Sequence, residues 1–89
     1  MKEGFSIVIG DTRLSSLAQI VDAVLDQYED SIGVKLNEVD VDQRRDAVRR
    51  LYDIGFFDMR NSVEAFCSRA QVTKVTVYAH LKRAIYATN

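Results

Sequence analysis

The stretch Glu64–Lys82, EAFCSRAQVTKVTVYAHLK, most narrows what this chain can fold into. Apolar residues recur at helical spacing on both sides of Gln71, and Thr73 supplies an N-cap for the second run. The pattern is helix, tight turn, helix. Two helices joined so closely must cross, so the first needs apolar anchors and a small residue at the crossing. Phe66, Cys67 and Ala70 fill those places, with Cys67 as the small residue. Val72 plugs the turn, and Val77 and Leu81 face inward from the second helix. Gln71 is the awkward position. A turn of this kind usually places one residue at φ > 0, where glycine is at ease and glutamine is not. Either Gln71 takes that conformation, and Gln71→Gly stabilises the fold, or its φ is negative and the turn is built differently.

The rest of the chain reads as further helices, and no proline interrupts them. Leu14, Leu17, Val21, Val24 and Tyr28 recur at spacings of 3, 4, 3 and 4, an apolar seam on a helix over Leu14–Tyr28. Ala18, Ile20 and Leu25 widen the seam. Such a stripe packs on a second copy or on the rest of the domain. Glu29–Asp42 shows no strong period and reads as a linker, with Gly33 as a helix stop. Asp40 with Gln43 three residues on is a capping-box signal, and the helix it starts runs to about Ile54. Its apolar face is Ala47, Val48, Leu51 and Tyr52. Arg44, Arg45, Arg49 and Arg50 lie largely on the other face. Gly55 is placed to close this helix in the left-handed conformation. The segment Phe56–Arg60 is a short apolar connector or one strand. Asn61 with Glu64 repeats the capping signal, and the helix after it carries Val63, Phe66, Cys67 and Ala70 inward. The last helix runs from Thr73 to about Tyr86, with Val77, Leu81 and Ala84 or Ile85 inward. Before all of these, Phe5–Gly10 (FSIVIG) reads as a strand ending at a Gly-Asp turn. The expected fold is therefore mainly α: a helix-turn-helix unit preceded by one short strand and an amphipathic helix. Residues 1–36 are expected to form the strand and the dimerisation or linker helix, and residues 37–89 the helix-turn-helix domain.

Composition fits a small globular domain, with 47% apolar and 28% charged residues in 89. One cysteine excludes an intrachain disulfide, and a cytoplasmic setting fits. The apolar run near the N-terminus is too short for a signal peptide or a membrane span. The charge is lopsided. Residues 1–42 hold three basic and nine acidic residues, a net of −6, and residues 43–89 hold nine basic and four acidic, a net of +5. A basic C-terminal half suits a polyanion such as double-stranded DNA; solvated helix faces give the same count. One His and one Cys do not make a zinc site, and Cys67 reads as a small apolar core residue. The sequence contains no nucleophile–base pair, phosphate-cradling Gly loop or metal cluster, so no catalysis, metal or cofactor is expected.

Residues Arg44–Ala84 (RRDAVRRLYDIGFFDMRNSVEAFCSRAQVTKVTVYAHLKRA) resemble the C-terminal helix-turn-helix domain of the YheO-like, or DauR-like, transcriptional regulators. The resemblance is carried by Leu51, Gly55, Phe57, Val63, Thr76, Val77, Tyr78 and Leu81. Members usually carry a PAS-like sensor ahead of that domain, and Phe5–Leu25 looks like its last strand and exit helix. On that likeness the chain is a shortened form or a small relative without its sensor. The resemblance implies a bacterial repressor or activator that binds operator DNA as a homodimer. It departs from the family pattern at Gln71 (usually Gly), at Ala79 (often basic or polar) and at His80 (commonly Tyr).

The expected DNA-binding residues are Thr73, Lys74, Val75, Thr76, Tyr78, Ala79, Lys82 and Arg83 on the second helix of the pair, with Arg49 and Arg50. Lys74 would reach phosphate or guanine, and Thr76 phosphate or a thymine methyl. Tyr78 would lie against the sugar-phosphate backbone or pack half-buried. The expected dimerisation residues are Leu14, Leu17, Val21, Val24 and Tyr28. The rival reading is a protein-interaction module whose working surface is that stripe and whose C-terminal helices do not bind DNA.

Overall fold

The computed structural model describes the backbone of residues 13–87 and the side chains of residues 17–86. Four helices account for most of it: α1 (Arg13–Ile32), α2 (Val41–Asp53), α3 (Ser62–Ala70) and α4 (Lys74–Ala87). The expected strand Phe5–Gly10 and the side chain of Leu14 lie outside the described residues.

Local signals set most of the boundaries. The α2 capping box forms in full: Asp40 accepts from the Gln43 N–H at 2.8 Å, and the Gln43 side chain accepts from the Asp40 N–H at 3.0 Å. Two of the orphan donors at the helix start are thereby satisfied. Gly55, at φ 83°, ends α2 as expected. The helix α1 runs four residues past Tyr28 before Gly33, at φ 75°, closes it by donating to the Glu29 carbonyl at 2.8 Å.

Three local expectations are corrected. Phe56–Arg60 contains no strand; Phe56–Asp58 is a single 3₁₀ turn that buries Phe56. Asn61 does not cap α3 with its side chain, because its own backbone is left-handed (φ 62°) and an N-cap needs the extended region. The segment read as a linker from Glu29 starts only after Ile32, where α1 ends. It holds a second 3₁₀ turn, Leu36–Glu38, and places Leu36 and Val39 in the interior.

One core runs through all four helices. Val21 and Leu25 of α1 meet Leu36, Ala47, Val48, Leu51, Phe56, Phe66, Ala70, Val77 and Leu81. Of the two destinations for the α1 seam, Val21 takes the chain's own core, and Val24 and Tyr28 pack against it. Leu17 stays 38% exposed. Phe66 and Phe56 are essentially fully buried, and each is worth about 1.5–3 kcal/mol of burial. A polar clamp supplements this packing. Glu29, 5% exposed, accepts the Leu36 N–H at 2.7 Å and the Arg69 guanidinium at 3.1 Å. Arg69 also reaches Asp26 at 2.6 Å and Asp22 at 3.4 Å, so α3 is tied to three acids of α1.

Candidate nucleic-acid interface

The α3–turn–α4 unit is built by its backbone. Gln71 has φ 60° and ψ 46°, so it takes the left-handed conformation the tight turn requires. Its N–H and that of Val72 both donate to the Cys67 carbonyl, the latter at 3.1 Å. This satisfies orphan acceptor capacity at the end of α3. Val72 packs against the core as the plug. The Thr73 hydroxyl accepts the Thr76 N–H at 3.3 Å, so the expected cap of α4 forms. Phe66 and Ala70 are buried and Cys67 is half-buried. Burial also pushes the Cys67 thiol pKa up, which keeps it protonated and small rather than reactive.

With Val77, Leu81 and Ala84 buried, the opposite face of α4 is left to solvent. Val75 is 78% exposed and Tyr78 54% exposed, and Ala79, Lys82 and Arg83 are exposed with them. Positions 75, 79 and 82 follow a 4, 3 spacing and so form one stripe. Tyr78 is thus not packed away, and its ring lies beside this stripe. Ile85, the alternative inward residue, is 42% exposed; Ala84 takes that place.

Lys74 is engaged by Glu64 of α3 at 3.1 Å. Hydrogen bonding to that carboxylate raises the Lys74 pKa, so the ammonium is fully charged at neutral pH. Both partners are more than half exposed, and exposed pairs of this kind are worth little. Lys74 can therefore leave Glu64 for a phosphate at small cost. Arg50 is held by Asp46 at 2.8 Å and lies within electrostatic reach of Tyr28 of α1. Arg49 and Arg83 meet across a cleft between α2 and α4, where neither has an ion pair among the described residues. The structure thus gathers the α4 residues, adds Arg49 beside Arg83, and ties Arg50 to an acid.

Two residues have roles that the sequence reading does not assign to them. Arg69 orients α3 against α1, and Glu64 restrains Lys74. Asp22, Asp26 and Glu29 recur at spacings of four and three, an acidic stripe beside the apolar seam that calls for a cation. Nothing local points to Glu64, which meets Lys74 only through the turn. Among the described residues, no group of three or more His, Cys, Asp and Glu is placed to hold a metal ion, and no helix is long and apolar enough to cross a membrane.

Residues 20–82 match the model of a family described as an HTH domain, a span that begins within α1 and ends within α4. No curated protein and no solved structure matches the chain.

Proposed function

Because the chain belongs to the helix-turn-helix (HTH) domain family, we propose that it is a sequence-specific transcriptional regulator of the YheO/DauR-like type. In this reading it binds operator DNA as a homodimer. The observation that carries the proposal is the solvent face of α4, Val75, Tyr78, Ala79 and Lys82, presented directly after the left-handed Gln71 turn. A helix presented this way enters the major groove with its N-terminal residues toward base edges, while the preceding helix braces it across the backbone. Lys74 leaves Glu64 for a phosphate or a guanine edge. Thr73 and Thr76 take phosphate oxygens, and Val75 and Ala79 lie against thymine methyls or sugars. Lys82 and Arg83, with Arg49 beside them, neutralise phosphates farther along. Arg50 contributes only if it exchanges Asp46 for DNA.

Val21, Val24 and Tyr28 are already engaged inside the chain. The homodimer contact is therefore proposed at the N-terminal end of the seam, around positions Leu14 and Leu17.

The test is titration of a fluorescent duplex at two salt concentrations. Wild-type protein binds more weakly at the higher salt, with a slope near −0.9 per phosphate contact. Lys74→Ala and Lys82→Ala each weaken binding and lower that slope by about one contact. An unchanged titration for the double variant removes these two residues from the interface. The second reading, a protein-interaction module, draws on the exposed Val75, Tyr78 and Tyr86, which are apolar for a DNA-facing helix. No duplex binding even at low salt favours it.

A further inference from the structure

An open cleft between α2 and α4 has a volume of about 700 Å³, within the range of small-molecule sites. Arg45, Arg49, Arg83 and His80 line it, together with Asp42 and Asp46. Its charge is not balanced. Asp42 holds Arg45 at 3.2 Å, and Asp46 holds Arg50 at 2.8 Å. Each carboxylate of the wall already has a cation, which leaves the guanidiniums of Arg49 and Arg83 unmatched among the described residues. A second observation is independent of charge. His80 is 7% exposed, and its Nε2 is buried with no hydrogen-bond partner. The Nε of Arg45 is buried and unpartnered as well. Buried polar atoms in native folds are normally satisfied, so each one left open calls for an explanation.

We propose that this cleft binds a phosphate group, with the exposed guanidiniums of Arg49 and Arg83 supplying charge and hydrogen bonds, and Arg45 and the buried His80 forming the floor beside them. Guanidinium forks suit phosphate oxygens, because two parallel N–H groups meet two oxygens. Two unmatched cations on facing sides of the cleft match either the near-dianion of a phosphomonoester or two successive phosphates of a DNA strand. The first source is a free phosphorylated molecule, for which the cleft has room beyond the phosphate itself. Only the second source rests on the DNA-binding reading above.

His80 is the only histidine in the sequence, so its imidazole NMR signals report on the cleft without ambiguity. The experiment titrates the protein with inorganic phosphate, and in parallel with chloride at matched ionic strength. Arg49→Gln/Arg83→Gln protein is treated identically, with circular dichroism as a check that it is folded. The expected result is a saturable shift of the His80 signals with phosphate alone, weakened at least tenfold in the double variant. In a second arm, duplex binding by the double variant is measured against salt. A slope lower by about two contacts, with no response to inorganic phosphate, assigns the site to the DNA backbone. Phosphate insensitivity together with an unchanged slope overturns the proposal. Wild-type protein that binds no duplex ends the DNA-binding reading, and the phosphate titration then decides the site alone.

Discussion

Gln71 carries a conformational cost that the turn imposes on it. A non-glycine residue in the left-handed region costs about 1–2 kcal/mol, and Gln71 sits there at φ 60°. Gln71→Gly relieves that strain and gives back part of it as unfolded-chain entropy. The expected net gain is about 0.5–1 kcal/mol, read as a rise of several degrees in thermal midpoint for a domain of this size. Duplex affinity should not move; a lower midpoint would show that the glutamine side chain contributes more than its backbone costs. His80 makes a pH prediction. Burial, and then the charges of Arg44, Arg45 and Arg83, hold its pKa below the ordinary value. The folded state therefore binds fewer protons than the unfolded state in the window below about pH 6.5. Stability is unaffected by His80 above that window and falls as pH drops through it. His80→Gln should flatten this part of the stability–pH curve in denaturant titrations. Residue chemistry was readable in advance at Asp40, Gln43, Gly55 and Thr73, whose partners lie within one helical turn or whose backbone need is local. It was not readable at Asn61, because an N-cap requires an extended backbone and the turn closed by the Ser62 N–H on the Met59 carbonyl holds Asn61 left-handed.

At the scale of elements, the apolar period located all four helices, and within the α1 seam Val21, Val24 and Tyr28 face the core while Leu17 stays exposed. The seam's destination was not in the period. Val21 and Leu25 are buried against the C-terminal helices, so α1 is a wall of the domain as well as whatever it offers a second copy. Arg69 fixes its placement. Arg69→Met should cost about 1–3 kcal/mol, since it strips a charged donor from the buried Glu29 while leaving the Leu36 N–H in place. Hydrogen exchange should quicken in α1 and in Leu36–Glu38 before it does in α2. Uniform acceleration across all helices would mean that the clamp is merely one more core contact. Leu25→Ala offers a comparison without electrostatics: about 2–5 kcal/mol for a fully buried leucine. These two changes test separately how far α1 depends on apolar packing and how far on the Arg69 clamp.

At the scale of the whole molecule, the proposed homodimer predicts two α4 helices about one DNA turn apart. Footprinting on a bound operator should therefore show two protected half-sites with that spacing. Leu17→Asp should shift sedimentation toward monomer and weaken operator binding while leaving the melting curve close to wild type, because Leu17 is outside the core. A wild-type chain that sediments as a monomer when saturating its operator rules out this form of the dimer. The amino-acid sequence by itself determined the helices, the caps of α2 and α4, the closing Gly55 and the sidedness of α4. Those features depend on hydrogen bonds and apolar periods spanning a few residues. Only the tertiary structure decided that Leu36 and Val39 are core, that Arg69 gathers three acids of α1, that Lys74 rests on Glu64, and that Arg49 and Arg83 share a cleft with His80. Each of these depends on the crossing angle and offset of packed helices. Complementary surfaces across the whole core set those two quantities, and no local period encodes them.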